Sequence, residues 1–319
     1  SLSAARRELW TECAARADLV VDALEKEPRR ALAALAALER GLARHHFDVD
    51  DRGKADFALA ADRAGLRVRL TGALGKRTKH QRTSLPQLRL ETNLDDDDDD
   101  AEATAALQAT TTTTKTVELD EDSILLECGV RYDDDDDDDQ NTGGAPPQKS
   151  VSPTPKDSDV VRLPGAVAAP LRQAIILALC LDVRNSNPDD GLTTEEMRPY
   201  VRAAVARPTN WMVHSTALLQ RSRLEAVSVY AADRAALQLQ VLVDQHAATS
   251  LAAAGDAPVE ARVPLLAGLD YPAIWEAKAE LAAQMRALGA LVTAAELYET
   301  LEEWDDVVEC YAAAGRRDD

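Results

Sequence analysis

Few side chains in this sequence have the spacing that enzyme chemistry requires. The stretch from Gly72 to Lys76 is similar to a phosphate-binding loop, which needs Gly, four residues, then Gly-Lys-Ser/Thr, so that backbone amides surround the phosphates. Here Leu70 stands where the first glycine should be, and Arg77 replaces the hydroxyl residue. We therefore predict no nucleotide site and interpret the stretch as a turn between two helices.

Metal-ligating patterns are equally scarce. His45 and His46 are adjacent, and consecutive side chains on a helix point about 100° apart, so both cannot easily bind one ion. The aspartate runs lack the glycine and the final glutamate of a calcium-binding loop. No Ser/His/Asp or Cys/His set stands out. We predict no cofactor, no metal site, no small-molecule substrate and no enzymatic activity.

The cysteines indicate a reducing compartment. Cys13, Cys128, Cys180 and Cys310 are far apart and form no CxxC pair, so we expect buried, reduced thiols rather than disulfides or zinc. No Asn-x-Ser/Thr acceptor occurs either, and no apolar stretch approaches the roughly 18 residues of a membrane helix. A cytoplasmic or nuclear protein without membrane contact is expected.

One basic segment, residues 67–89, could contact a partner. It could bind RNA or an acidic protein, or fold against the acidic runs of the chain itself. Nucleic-acid readers usually add aromatic side chains, and this segment has none. An RNA- or nucleoprotein-binding module is therefore the alternative function and not the preferred one. The candidate contact residues are Lys76, Arg77, Lys79 and Arg82.

The elements that would position these residues are helices. The sequence is rich in Ala and Leu, both strong helix formers, and only 4% of its residues are aromatic. Apolar residues recur every three or four positions in residues 1–90 and again in residues 161–272. We predict an all-α fold of helix hairpins, of the tetratricopeptide-like or α-solenoid type.

Residues 91–160 form an acidic insert. Between Asp95 and Asp159 there are 21 acidic and 4 basic residues, which accounts for −17 of the net charge of −20. Like charges repel and little apolar surface is available for burial, so we expect most of the insert to be disordered. The apolar residues within 117–132 could dock on the helical body as a strand or extended segment.

Helix-capping residues and large aromatic side chains mark the second helical region. Thr193 or Thr194 is expected to cap one helix, and Thr209 or Asn210 the next. The predicted packing anchors are Trp211, Trp275, Trp304 and Tyr311.

Residues 273–319 match a tetratricopeptide repeat, a helix hairpin of about 34 residues with small, aromatic and glycine residues at fixed positions. With Gly289 at position 15, the matching positions 8, 11, 20 and 24 are Ala282, Met285, Ala294 and Tyr298. With Gly315 at position 15, the matching positions 4, 8 and 11 are Trp304, Val308 and Tyr311. Residues 1–90 contain a weaker match. An irregular bundle of Ala-rich helices remains the alternative that periodicity leaves open.

Six stretches, in order, resemble the tetratricopeptide repeat protein 27 family and its fungal and plant relatives. They start at Leu70 (LTGALGKRTK), Leu181 (LDVRNSNP), Gly191 (GLTTEEM), Asn210 (NWMV), Ala217 (ALLQRSRLE) and Leu237 (LQLQVLVDQ). The resemblance implies a cytosolic and nuclear adaptor for chaperone-assisted assembly of large complexes. It also implies that the spliceosomal U5 ribonucleoprotein and the heat-shock protein 90 machinery are partners. For the fungal members, it implies a role in cell-wall maintenance.

The same resemblance implies that the main repeat array continues beyond Asp319. Repeat proteins that bind the acidic tail of heat-shock protein 90 use Lys, Asn and Arg on inner helix faces. No such set can be placed in this sequence, so direct binding of that tail is not predicted.

Overall fold

The computed structural model describes residues 2–25, 29–47, 50–78, 82–83, 85–94, 124–129, 165–247 and 263–316. Three helices come first: α1 (Leu2–Glu25), α2 (Arg30–His46) and α3 (Asp50–Arg63). The expectations for the two aspartate runs lie outside the described residues.

Helices α2 and α3 form a hairpin that two glycines hold close. A Cβ atom added at Gly41 would lie 2.5 Å from Cε1 of Phe57, and one added at Gly53 would lie 2.5 Å from Cδ2 of His45. The rings of His45 and Phe57 stack with their centroids 5.0 Å apart. Both glycines therefore make room for an aromatic ring of the facing helix.

A three-stranded antiparallel sheet follows, with the order β2-β1-β3. Its strands are β1 (Val68–Thr78), β2 (Leu85–Thr92) and β3 (Ile124–Gly129). The interpretation of residues 72–76 as a turn between helices is therefore wrong, because 72–75 pair with 85–88 of β2 and Lys76 pairs with Gly129 of β3. Residues 124–129 lie within the segment 117–132 that could dock on the helical body, and they form a strand that pairs with β1.

The strand pattern explains why β1 forms where a helix hairpin was expected. Along β1, Val68 is partly buried against the helical core, Arg69 is exposed and Leu70 is partly buried again. This alternation has the period of two that a strand with one buried face requires. Asn93 joins the end of β2 to the connection between α3 and β1, since its Oδ1 accepts the Arg67 N–H at 2.8 Å and its Nδ2 donates to the Gly65 carbonyl at 2.9 Å.

The remaining chain is helical. Its elements are α4 (Gly165–Ser186), α5 (Gly191–Ala206), α6 (Trp211–Ala226), α7 (Ala232–Ala247), a 3-10 turn (Val263–Gly268), α8 (Ile274–Ala287), α9 (Leu291–Leu301) and α10 (Trp304–Ala313). The all-α fold class predicted from the sequence is confirmed, with the small sheet as an addition. Within the described ranges, no helix is long and apolar enough to span a bilayer.

The capping residues were predicted correctly at one helix and wrongly at another. Asn210 caps α6, because its Oδ1 accepts the N–H groups of Met212 and Val213. Helix α5 is capped by Asp190, whose Oδ1 accepts the Thr193 N–H at 2.9 Å. A carboxylate at this position also interacts favourably with the positive end of the helix dipole.

Helix α4 occupies the centre of the main core. Leu171, Ile175 and Ile176 are fully or almost fully buried, and they form one cluster with side chains of α2, α3, α5 and α6. Because neighbouring helices surround α4, its apolar residues run around the helix instead of along one stripe. A second and a third cluster continue this core from α6 through α10.

Candidate protein-interaction surface

The small residues at the predicted repeat positions lie where helices α8, α9 and α10 pack together. Ala282 and Ala294 are completely buried, and Tyr298 is 4% exposed. Met285 is partly buried against the same cluster. Small side chains at such contacts allow helix axes to approach closely, and the Tyr298 ring fills the remaining space.

The two repeat glycines end their helices in the same way. Gly289 and Gly315 have φ angles of +84° and +76°. After each glycine, the next N–H donates to a carbonyl five residues back: Ala290 to Met285 and Arg316 to Tyr311, both at 2.9 Å. This is the Schellman arrangement, in which glycine is favoured because a Cβ atom would be strained.

Two of the predicted packing anchors, and one repeat residue, are on the surface. Trp275 and Trp304 are 63% and 61% exposed, and Val308 is 67% exposed. The expectation that Trp304 is buried between helices is therefore wrong in the part of the chain described. Val307, Cys310 and Tyr311 of α10 pack against the cluster that α10 forms with α8 and α9. Trp304 and Val308 are not part of that cluster.

The other two anchors do pack. Trp211 is 2% exposed, and its ring lies 4.7 Å from that of His246. Tyr311 packs against the α8–α10 cluster, and its hydroxyl donates to Oε1 of Glu299 at 3.0 Å.

Ion pairs connect the first helices of successive hairpins. The guanidinium of Arg223 on α6 binds Glu280 on α8 through Nε and Nη2, both at 2.9 Å. Nη1 of Arg286 on α8 lies 2.9 Å from Asp306 and 3.4 Å from Glu309 on α10. These contacts make α6, α8 and α10 one continuous row. An acidic peptide would have to compete with these carboxylates for both arginines.

A groove opens between the α6–α7 turn and helix α8. Its volume is about 570 Å³, and apolar side chains make up most of its wall. Its lining residues include Val227, Val229, Glu280, Ala283, Gln284 and Leu288. In the adjoining turn, Val227, Val229 and Tyr230 are 76%, 91% and 85% exposed. Turns on ordinary protein surfaces are polar, so this apolar turn is unusual.

The predicted basic patch is only partly within the described structure. Lys76 and Arg77 contribute backbone to the distal half of β1. Arg82 is exposed in the connection to β2, and Lys79 lies outside the described residues. The patch is therefore carried by a β-hairpin and not by a helix–helix turn.

Sequence reasoning missed an ion network that joins the first three helices. Oδ1 and Oδ2 of Asp56, which is 2% exposed, lie 2.7 Å and 2.6 Å from Arg40 and Arg44. Both arginines also contact Asp18 of α1 at 3.0 Å. Arg40 and Arg44 are four residues apart and therefore lie on one helix face. This spacing is the sequence feature from which a shared acidic partner could have been predicted.

A second missed contact joins the first hairpin to α4. Nε2 of His45 lies 3.4 Å from Oδ1 of Asp182, and Nδ1 lies 3.1 Å from the side-chain amide of Asn185. His45 is thus part of a buried polar contact between helices. Across the described ranges, no group of three or more His, Cys, Asp or Glu could hold a metal ion.

The cysteine expectation holds at two of the three described positions. Cys180 and Cys310 are buried free thiols, and burial raises the pKa of Cys180 to about 12. Cys13 is also free but exposed on α1, contrary to the expectation. The side chain of Cys128 lies outside the described residues.

Comparison with known proteins gave several relatives, and some of them are named as tetratricopeptide repeat proteins. The tetratricopeptide repeat protein 27 homolog of Dictyostelium discoideum is 31% identical over 291 residues, covering 89% of this chain and 30% of the relative. A TPR repeat-containing protein of Schizosaccharomyces pombe is 30% identical over 313 residues, covering 88% and 36%. The essential for maintenance of the cell wall protein 1 of Saccharomyces cerevisiae is 27% identical over 140 residues, covering 42% and 16%.

No family profile and no solved structure matches the chain. The chain spans about a third of the length of the first two relatives. The two similarities at 30% identity or above cover nearly nine-tenths of this sequence. The chain therefore belongs to the tetratricopeptide repeat protein 27-like family.

Proposed function

We propose that this chain is part of a protein-interaction scaffold. The observation that carries the proposal is the apolar turn between α6 and α7, where Val227, Val229 and Tyr230 are 76–91% exposed. Exposing large apolar side chains to water is unfavourable, and contiguous exposed apolar surface is characteristic of sites that bind another protein. The row of stacked hairpins supplies a rigid support for that surface.

The partners that we propose are chaperone machinery and subunits of the spliceosomal U5 ribonucleoprotein, in the cytoplasm or the nucleus. Support comes from the resemblance to the tetratricopeptide repeat protein 27 family and from the relatives' names, which identify tetratricopeptide repeat proteins. Such a role requires no catalytic group, and the buried polar residues described above all have structural explanations.

The proposal is tested by affinity capture from native cell extract with the 319-residue chain as bait. Quantitative mass spectrometry should show spliceosomal and chaperone subunits enriched over an unrelated bait. A variant with Val227→Asp, Val229→Asp and Tyr230→Asp should lose most of that enrichment while keeping its melting temperature. Leu19→Asp is the matched control, because Leu19 is 71% exposed on a different helix.

Two outcomes would contradict the proposal. If the triple variant and the parent chain recovered the same amounts of these subunits, the apolar turn would not be the binding site. No enrichment of any protein over the unrelated bait would leave the scaffold role without support.

A further inference from the structure

Helices α8 and α10 are equivalent units of a repeat in which matching residues are 26 positions apart. Leu281 of α8 is fully buried in a cluster that contains Leu239 of α7, the preceding α-helix. The matching residue of α10, Val307, is 6% exposed in a cluster that contains Ala294 of α9, again the preceding α-helix. One face of each helix therefore packs against the helix before it.

A second face is buried on α8 and exposed on α10. Ala282 of α8 is fully buried in a cluster with Ala294 and Tyr298 of α9, the helix that follows it. Val308 of α10 matches Ala282 and is 67% exposed, and Trp304, one helical turn earlier, is 61% exposed. Among the described residues, no helix follows α10. An apolar stripe of α10 is therefore left in water at the place where α8 is covered by a helix.

The turn after α10 has the same hydrogen bonds as the turn after α8. Besides the two contacts five residues back, the Gly289 N–H donates to the Arg286 carbonyl at 3.0 Å, and the Gly315 N–H donates to the Ala312 carbonyl at 3.2 Å. After Gly289 the chain reverses, and α9 begins at Leu291 and packs along α8. The same backbone geometry at Gly315 provides the reversal that a second helix needs in order to pack on α10.

We infer that the stripe of Trp304 and Val308 binds an amphipathic helix that follows Gly315 in the same polypeptide. The surface is then internal to the protein, unlike the apolar turn between α6 and α7, and this inference goes beyond the proposed function. The chain spans about a third of the length of the first two relatives, so proteins of that length have enough residues for such a helix.

The side chains on α10 determine the chemistry of the bound helix. Val308 is larger than Ala282, so small residues must face it for the two helices to approach as closely as α8 and α9 do. Trp304 stands where α8 has Lys278. Because the two helices of a hairpin are antiparallel, Trp304 faces the last turns of the bound helix, which must be apolar there.

The test extends the whole chain after Asp319 with a copy of residues 294–303, which keeps the repeat in register. Native-state hydrogen exchange, measured by mass spectrometry of peptides from α10, should be at least about tenfold slower than in the unextended chain, because a packed helix suppresses local opening. A matched extension has glutamine at the copies of Ala294, Ala295 and Tyr298. Glutamine favours a helix but supplies no apolar face, so exchange should stay within about twofold of the unextended chain.

Substitutions on α10 test which face binds the added helix. Trp304→Gln together with Val308→Gln should remove most of the protection that the extension gives. Ala313→Gln is the control, because Ala313 is exposed on the side of α10 opposite Trp304, and it should keep the protection. All three side chains are exposed in the parent chain, so the fold should not depend on them. Circular dichroism and melting temperature of the unextended variants would establish this.

Three results would overturn the inference. They are unchanged exchange in the chain with the copied residues, equal slowing by both extensions, and slowing that the double glutamine substitution leaves intact.

A separate peptide distinguishes a helix of the same polypeptide from a helix of a partner protein. An equimolar amount of the copied segment as a free peptide should give no protection, because a linked helix has an effective concentration on the order of millimolar that a dilute peptide does not reach. Equal protection by the free peptide would overturn the assignment to the same polypeptide. None of these measurements involves the apolar turn, so affinity capture tests the proposed function separately.

Discussion

Residues of the same type differ in burial in this protein, as the tryptophans show. Trp211 lies inside the main core, whereas Trp275 and Trp304 lie on the surface of the helical stack. Replacement of a buried tryptophan by alanine costs about 3–5 kcal/mol, but surface replacements usually change stability by less than about 0.5 kcal/mol. The tryptophan side chain itself contains no information about which case applies, because neighbouring helices decide its exposure.

His214 gives a testable pH dependence. It is 3% exposed on α6, and burial lowers its pKa to about 4, with a further contribution from the positive charge of Arg221. Below pH 6.5 the unfolded chain binds a proton that the folded chain does not, so stability is lost as the pH falls from about 6.5 towards 4. In His214→Gln, the drop in unfolding free energy between pH 7 and pH 4.5 should be about 2–3 kcal/mol smaller.

Urea unfolding of both proteins at the two pH values measures this difference. Glutamine is neutral and close in size, so it keeps the packing while removing the titration. Identical pH dependence in the parent and the variant would contradict a lowered pKa at His214.

At the scale of elements, the helix hairpins depend on how each helix ends. Gly289 has a φ angle of +84°, and an added Cβ atom would meet nothing within 4 Å. Its substitution therefore tests backbone conformation alone. Gly289→Ala should lower the free energy of unfolding by about 1–2 kcal/mol, because an L-residue is strained in this region.

Gly191 is the matched control for that substitution. It too has open space around its Cβ position, but it is the first residue of α5 and has no positive φ angle. Gly191→Ala should be neutral or stabilising by up to about 1 kcal/mol, since alanine favours the helix and restricts the unfolded chain. Thermal unfolding of the two variants decides the question, and equal destabilisation would refute the conformational explanation.

At the scale of the whole molecule, the apolar clusters follow one another along the chain. The main cluster joins α2 to α6, and a separate cluster joins α8, α9 and α10. In such a stack each unit contacts mainly its neighbours, and units can open separately. Gly289→Ala should therefore speed native-state hydrogen exchange in α8–α10 while leaving α2–α6 protected as before.

Hydrogen exchange followed by mass spectrometry of peptides would measure the protection of the two clusters separately. Equal loss of protection in both clusters would mean that the described helices unfold as a single cooperative unit. That outcome would contradict the nearest-neighbour description of the stack.

The sequence by itself determined the helical class, the repeat glycines Gly289 and Gly315, and a helix cap at Thr209 or Asn210, of which Asn210 is the cap in the structure. These features depend on local backbone preferences and on the periodicity of apolar residues. Both are set by residues that are close together in the sequence. The repeat spacing around Gly289 likewise predicted that Ala282, Ala294 and Tyr298 would share one contact, and the structure brings them together.

The tertiary structure decided the features that depend on distant parts of the chain. Residues 68–78 became a strand because 85–92 and 124–129 pair with them and the helical core covers one end. The burial of Asp56 depends on two arginines from α2, and the groove at Ala283 depends on a turn about fifty residues earlier. Long-range pairing and packing are set by which surfaces meet in three dimensions, and no local pattern specifies them.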